Sequence, residues 1–159
     1  EFVRDATFRA HPWNCLITRT SLAADSETPA FEFEYQHTLP TDPYCLRVLR
    51  PQDIDTIYRI EGRKIMSNAT PFKMIYVARV TDANEYDQLL IETIASRLAA
   101  DISYALVNSA ALSQSLMAMY EGKLSEARFV DATEGTPDNI INVDRATYVE
   151  SDMFIASRF

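Results

Sequence analysis

Glycine is almost missing from this chain: three residues in 159, at Gly62, Gly122 and Gly135. A phosphate-cradling loop or a dinucleotide fingerprint needs several glycines at fixed short spacing, so neither can be written here. Histidine is as scarce. His11 and His37 have no second His or Cys at ligand spacing, which argues against a zinc site, and no GxSxG elbow occurs. Each reads as structural, His11 in a Pro-Trp bend and His37 at a strand end. Two cysteines, Cys15 and Cys45, lie too far apart for a CxxC arrangement. They read as small apolar core residues of a reducing compartment, with a disulfide between them as the alternative. No run approaches the roughly eighteen apolar residues that span a bilayer, and no basic leader precedes an apolar stretch. The expectation is a soluble protein without membrane contact, catalytic residues, cofactor or metal.

What is present is acid and apolar surface. Asp and Glu number 23 against 15 Lys and Arg, a net charge of −8, and acids crowd around Asp131, Glu134, Asp138 and Asp144. Counterion-release binding to DNA or RNA needs a basic surface, so tight nucleic-acid binding is disfavoured, whereas a surface that lets DNA pass is not. With 47% apolar residues the chain can bury the core of one folded domain. It opens at Glu1, without Met and inside an expected helix (Phe2, Ala6, Arg9). The expectation is an upstream segment that was removed, disordered or left out.

Hydrophobic period divides the chain into four zones. Residues 1–22 read as helical, broken at His11-Pro12, because the residue before proline is pushed out of the α region. A polar connector leads to Phe31-Glu32-Phe33-Glu34-Tyr35-Gln36, whose strict alternation predicts a half-buried strand. After a Pro-rich turn at Leu39–Pro43, strands are expected at Leu46–Arg50, Ile57–Glu61, Arg63–Met66 and Phe72–Val80. Gly62 should make the tight turn of a hairpin at Ile60-Glu61-Gly62-Arg63. Together residues of about 31–80 should form one small antiparallel sheet inserted between helical parts.

Two amphipathic helices are expected over 82–135. Asp82 and Glu85 have the spacing of a capping box. Tyr86, Leu90, Ile94, Leu98, Ile102 and Leu106 recur every four residues as the buried stripe, with Glu92, Arg97 and Asp101 outward. Asn108 or Ser109 ends one helix or caps the next. Leu112, Leu116, Met119 or Tyr120, Leu124, Ala127 and Val130 form the second stripe, and Gly135 with Pro137 supplies the stop. So short a link predicts antiparallel packing. Gly122 weakens the second helix by up to about 1 kcal/mol relative to Ala. Residues 136–159 read as an extended tail with scattered aromatics. The fold class is therefore α+β: an antiparallel helical bundle with a small antiparallel β-sheet insertion and an extended C-terminal tail, in a single domain.

One carboxylate pair invites a catalytic reading. On a strand, Glu32 and Glu34 would share a face about 6.5–7 Å apart, near the lower end of the separation used by inverting glycosidases. The solvent face of a strand built from Phe31, Phe33 and Tyr35 explains the same spacing.

Five stretches, in order, carry a resemblance: Arg4 with Arg9-Ala10-His11-Pro12-Trp13-Asn14; Leu39-Pro40 through Cys45-Leu46-Arg47-Val48; Ile60-Glu61-Gly62-Arg63 ahead of Tyr76-Val77; Val80-Thr81-Asp82 through Ala95-Ser96-Arg97-Leu98-Ala99-Ala100; and Tyr120, Glu126-Ala127-Arg128 and Asp131-Ala132-Thr133-Glu134-Gly135-Thr136-Pro137. The chain resembles the tail tubular protein A, or head-to-tail adaptor (connector), family of short-tailed podovirus bacteriophages, over most of its length to about Asn139. The end departs from the family's Ser-Trp-like close, with Asp152-Met153-Phe154-Ile155-Ala156-Ser157-Arg158 in its place.

The resemblance implies a non-enzymatic structural virion protein. It would form a ring, usually of twelve copies, between the portal protein and the tail nozzle (tail tubular protein B), with tail fibres as further neighbours. DNA would pass through the lumen during ejection without specific binding, and an acidic bore would keep it from sticking. The virion's portal vertex is the implied location, after assembly in the host cytoplasm. The tail would act as an arm docking on the portal, with Tyr148, Phe154, Ile155 and Phe159 as anchors; packing on their own domain explains the same residues. A polysaccharide hydrolase of the phage tail is the rival function that the resemblance brings, and a binding module for another protein a third.

Overall fold

The computed structural model describes residues 1–134. The chain is mixed α+β, with three α-helices and two three-stranded antiparallel sheets. Helix α1 (Phe2–Ala10) ends where His11, ahead of Pro12, turns extended at φ −148° and ψ 149°. A single 3-10 turn at Asn14–Leu16 leads into β1 (Ile17–Leu22). Then come β2 (Tyr35–Thr38), β3 (Cys45–Pro51), β4 (Tyr58–Glu61), β5 (Lys64–Ser67) and β6 (Phe72–Ala78). Helices α2 (Gln88–Val107) and α3 (Ala110–Thr133) follow.

The expected single sheet is two. The first has the order β1-β6-β3 and the second β2-β5-β4. Strand β1 replaces the helix expected through Leu22. Ile17-Thr-Arg-Thr-Ser-Leu22 is rich in β-branched residues and alternates, a strand signal that the preceding helix obscured. Conversely, the alternation of Phe31–Gln36 yields a strand only from Tyr35. Glu32 sits at φ 70°, outside the extended region, and the Glu34 N–H donates to the Asn68 side chain at 2.9 Å instead of joining a ladder. Alternation without a pairing partner makes no strand. Between β4 and β5, Gly62 takes the positive φ of a two-residue turn, as expected.

Two apolar clusters organise the layers. Leu39, Cys45, Ile65, Phe72, Met74, Tyr76 and Ala78 fill the space between the sheets. Phe8, Trp13, Leu16, Leu46, Val77, Leu90 and Ala127 join all three helices to the other face of the first sheet. Two irregularities in the β3–β6 register, at Cys45/Arg47 and Val48/Arg50, let β3 serve both clusters. Leu46 and Leu49 pack with the helices, and Cys45 and Val48 pack with the second sheet.

The helix pair starts one step later than the capping-box spacing predicts. Asp82 does cap, but it caps a 3-10 turn at Ala83–Glu85; Asp87 is the N-cap of α2, its carboxylate accepting from the N–H groups of Leu89 and Leu90. Asn108, left-handed at φ 51°, closes α2, and Ser109 caps α3 by accepting from the Leu112 N–H. The two helices run antiparallel, tied by Lys123 to Glu92 at 2.6 Å and by Arg97 lying over the Tyr120 ring. The expected stop at Gly135 and Pro137, and the tail after them, lie outside the described residues.

The expected stripes are buried in part: Leu90, Tyr120 and Ala127 are buried and Ile94, Leu116, Leu124 and Val130 half-buried, as expected, whereas the distal half of α2 departs. The buried residues of α2 are Leu90, Thr93, Ser96, Ala100 and Ser103, and those of α3 are Tyr120, Ala127 and Asp131. Thr93, Ser96 and Ser103 return their hydroxyls to backbone carbonyls of their own helix, so burying them costs no unpaired donor. Small side chains at 93, 96, 100 and 103 let the two helices approach closely, and that seam was won over the larger residues beside it. Leu98, Ile102 and Leu106, expected inside, are 47%, 45% and 75% exposed.

Candidate functional site

The residues that carry the sequence motifs converge into two polar clusters. In the first, Arg63 donates from Nη1 to the Cys45 carbonyl at 2.8 Å and from Nη2 to the Pro40 carbonyl at 2.7 Å. Its guanidinium also lies 4.0 Å from the centroid of Tyr44, whose ring has Arg79 at 4.4 Å. Arg9 donates to the Leu46 carbonyl at 2.6 Å, and Arg47 returns a bond to the Arg9 carbonyl at 3.2 Å. Arg79 pairs with Asp5 at 2.6 Å. Arg9, Arg47 and Arg63 thus spend donors on backbone carbonyls, which pins the Pro40–Val48 stretch between α1 and the β4–β5 turn. A cleft of about 310 Å³ remains between them.

The second cluster ties the chain's beginning to the end of α3. Asp131, 7% exposed, accepts from the Asn14 N–H at 2.9 Å and lies 2.9 Å from His11 Nε2. The Asn14 side chain donates to the Asp131 carbonyl at 2.7 Å, and Arg128 donates to the Ala10 carbonyl at 3.0 Å. Trp13 is fully buried and donates from Nε1 to the Thr7 carbonyl. His11 is thus in a structural bend, as its sequence context predicts. His37, also fully buried, is held between the carbonyls of Ala23 and Ala69.

The carboxylate pair is not assembled. Glu32 and Glu34 lie in the irregular stretch before β2, not on a strand face, and Glu32 makes an exposed ion pair with Arg59 at 3.6 Å. The spacing argument for a glycosidase site therefore loses its premise. Among the described residues no group of three or more His, Cys, Asp or Glu could hold a metal ion, and no helix is long and apolar enough to cross a membrane. Both thiols are free, and burial pushes each of them above its ordinary pKa. The anchors Tyr148, Phe154, Ile155 and Phe159 lie outside the described residues.

Among the described residues, the distal part of the helix hairpin lies outside both apolar clusters. Of α2, only its first two turns reach the helix-facing core, through Leu89, Leu90 and Ile94; of α3, only Leu124 and Ala127 do. Beyond these the hairpin is a two-helix projection, α2 alone being about 30 Å long. Ile91, Leu98 and Ile102 form an uncovered stripe along α2, continued near the tip by Tyr104, Leu106 and Val107, and α3 exposes Leu112 and Met119 seven residues apart. These side chains recur along the helix, unlike apolar residues scattered singly over a surface. Compared with known protein families and with curated proteins, the chain matches none.

Proposed function

We propose that this chain is a structural subunit of a head-to-tail adaptor: a helical body with a β insertion that assembles into a ring between the portal and the tail nozzle of a short-tailed phage, forming part of the DNA ejection channel. The observation that carries the reading is the uncovered stripe Ile91–Leu98–Ile102 on a hairpin that projects from the core. A single copy leaves this stripe in water, and side-by-side copies in a closed ring would cover it on every subunit at once. The convergence of the motif residues supports the same reading. Stretches that resemble the adaptor family, far apart in sequence, meet at Asn14–Asp131 and at Arg63–Cys45.

In this reading the residues after Gly135 form the arm that docks on the portal, with Tyr148, Phe154, Ile155 and Phe159 as anchors. Native mass measurement of the purified chain, with and without portal protein, tests the assignment. A monomer that becomes a ring on portal supports it; a chain that stays monomeric with portal present sinks it. Truncation after Asn142 should leave a folded protein that no longer binds portal, and undiminished binding would remove the arm from the proposal.

A further inference from the structure

The open end of the first sheet gathers the cationic side chains Arg19, Arg50 and Lys73. Two rows cross it: Ile75 of β6 lies between Arg19 of β1 and Arg50 of β3, and one step along Lys73 lies between Ser21 and Gln52, whose N–H donates to the Lys73 carbonyl at 2.8 Å. The helices cover this face only around Val77, and beyond it the two rows floor a depression of about 660 Å³. No carboxylate lines the depression, in a chain whose net charge is −8. Neither Arg19 nor Lys73 has an ion-pair partner among the described residues. Strand β1 borders the platform and pairs only with β6, so among the described residues its far edge carries an unpaired row of backbone groups.

These two features select one kind of occupant. The platform has no aromatic side chain on which a base could stack. Cations on one face suit an extended segment whose side chains two apart are acidic, the intervening apolar ones turning to the other face, and a free strand edge suits extended backbone. Arg19 and Lys73 are diagonal neighbours across the β1–β6 pair, about 7–8 Å apart at Cα. Side chains two apart on an extended strand repeat at about 6.5–7 Å. We propose that the outer edge of β1 accepts an extended acidic segment of another polypeptide as an added strand, with one carboxylate on Arg19 and the next reaching over the short Ser21 to Lys73. This docking needs no ring and stands apart from the adaptor assignment.

The test uses the full chain and a fluorescently labelled peptide of about ten residues alternating Glu and Val, followed by anisotropy at low and at moderate salt. Saturable binding is expected, weaker at the higher salt, with a matching Lys-Val peptide failing to bind. Arg19→Glu and Lys73→Glu should each weaken binding about tenfold or more, while leaving the circular dichroism and melting temperature in place because both side chains are exposed. The peptide N-methylated on alternate residues should bind in one phase and fail in the other, since only one set of amides faces β1. Absence of binding, binding indifferent to both substitutions, or equal binding of the two methylated phases would overturn the proposal. A DNA duplex that binds more tightly than the peptide and is lost with the same substitutions would assign the platform to nucleic acid instead.

Discussion

Asn14 and Asp131, 117 positions apart, are joined by two hydrogen bonds that run the same way: the Asn14 N–H donates to the Asp131 carboxylate and the Asn14 side-chain amide donates to the Asp131 carbonyl. The carboxylate's other oxygen faces His11 Nε2. Because the acceptor is charged and almost wholly buried, removing it leaves the bend at residues 11–14 without its anchor. Asp131→Ala should therefore cost about 2–3 kcal/mol, measured as a lower denaturation midpoint with an unchanged denaturant slope. Asn14→Ala keeps the backbone donor and should cost less, about 1 kcal/mol. A loss from Asp131→Ala no larger than that from Asn14→Ala would contradict the assignment of the carboxylate as the main tie.

The helix hairpin makes an inverted prediction. Ordinarily Leu→Ser on a helix stripe damages a core, and Ser→Leu on a polar position is harmless. Here Ser96 and Ala100 form the seam while Leu98 faces solvent. Ser96→Leu or Ala100→Leu should overpack the α2–α3 contact and destabilise the chain by about 1–3 kcal/mol. Leu98→Ser should stay within about 0.5 kcal/mol of wild type as a monomer. Thermal melts of the three variants check this, and an equal loss from Leu98→Ser would place the seam on the stripe after all.

Much of the architecture is legible in the sequence, and the failures have definite causes. The break at His11-Pro12, the turn at Gly62 and the Asn108-Ser109 junction follow from local backbone chemistry, which acts without knowledge of partners. The strand expected over Phe31–Gln36 fails because alternation specifies a face but not a neighbour, and the neighbour β5 ends at Ser67. On the hairpin Leu90, Tyr120 and Ala127 are buried as expected, and the departure is confined to Leu98, Ile102 and Leu106 in the distal half of α2 and to Leu112, for a related reason. A period of 3.6 gives the existence of two faces, but not how far along the helix a neighbour covers the apolar one. The polar clusters were legible only as words in a resemblance; that Arg63 meets Pro40, or Asn14 meets Asp131, is long-range information that no spacing carries.

Trp13 is where the largest single loss is expected. It is fully buried among Phe8, Leu16 and Val77 and satisfies its indole N–H on the Thr7 carbonyl. Trp13→Ala removes the packing and the bond together and should cost about 3–5 kcal/mol, enough to leave a marginal domain substantially unfolded at 37 °C. Phe2, on the same N-terminal stretch and 93% exposed, is the control: Phe2→Ser should change stability by less than about 0.5 kcal/mol. Chemical denaturation followed by tryptophan-independent circular dichroism separates the two, and comparable losses would show that the N-terminal helix, not Trp13, supports the fold.

Alkaline pH should unfasten the contact between the sheets. Burial pushes the Cys45 thiol above its ordinary value of 9.0, although the nearby Arg63 and Arg9 charges work against it. Burial likewise pushes the Tyr76 phenol above 10.0, helped by Cys45 and Asp42. For both groups the unfolded chain gives up its proton first. Between the unfolded and folded pKa values the unfolded state binds fewer protons, so stability is fully present below about pH 9 and falls as pH rises through that window. Denaturation midpoints under reducing conditions should be level across neutral pH and drop above it. Burial raises the Cys15 thiol as well, so Cys45→Ala alone should reduce the drop above pH 9, and Cys15→Ala with Cys45→Ala should delay its onset toward the Tyr76 range. A wild-type midpoint that stays level to pH 10.5, or a double-variant profile with the same onset as wild type, would mean that ionisation of these buried groups does not govern the alkaline loss of stability.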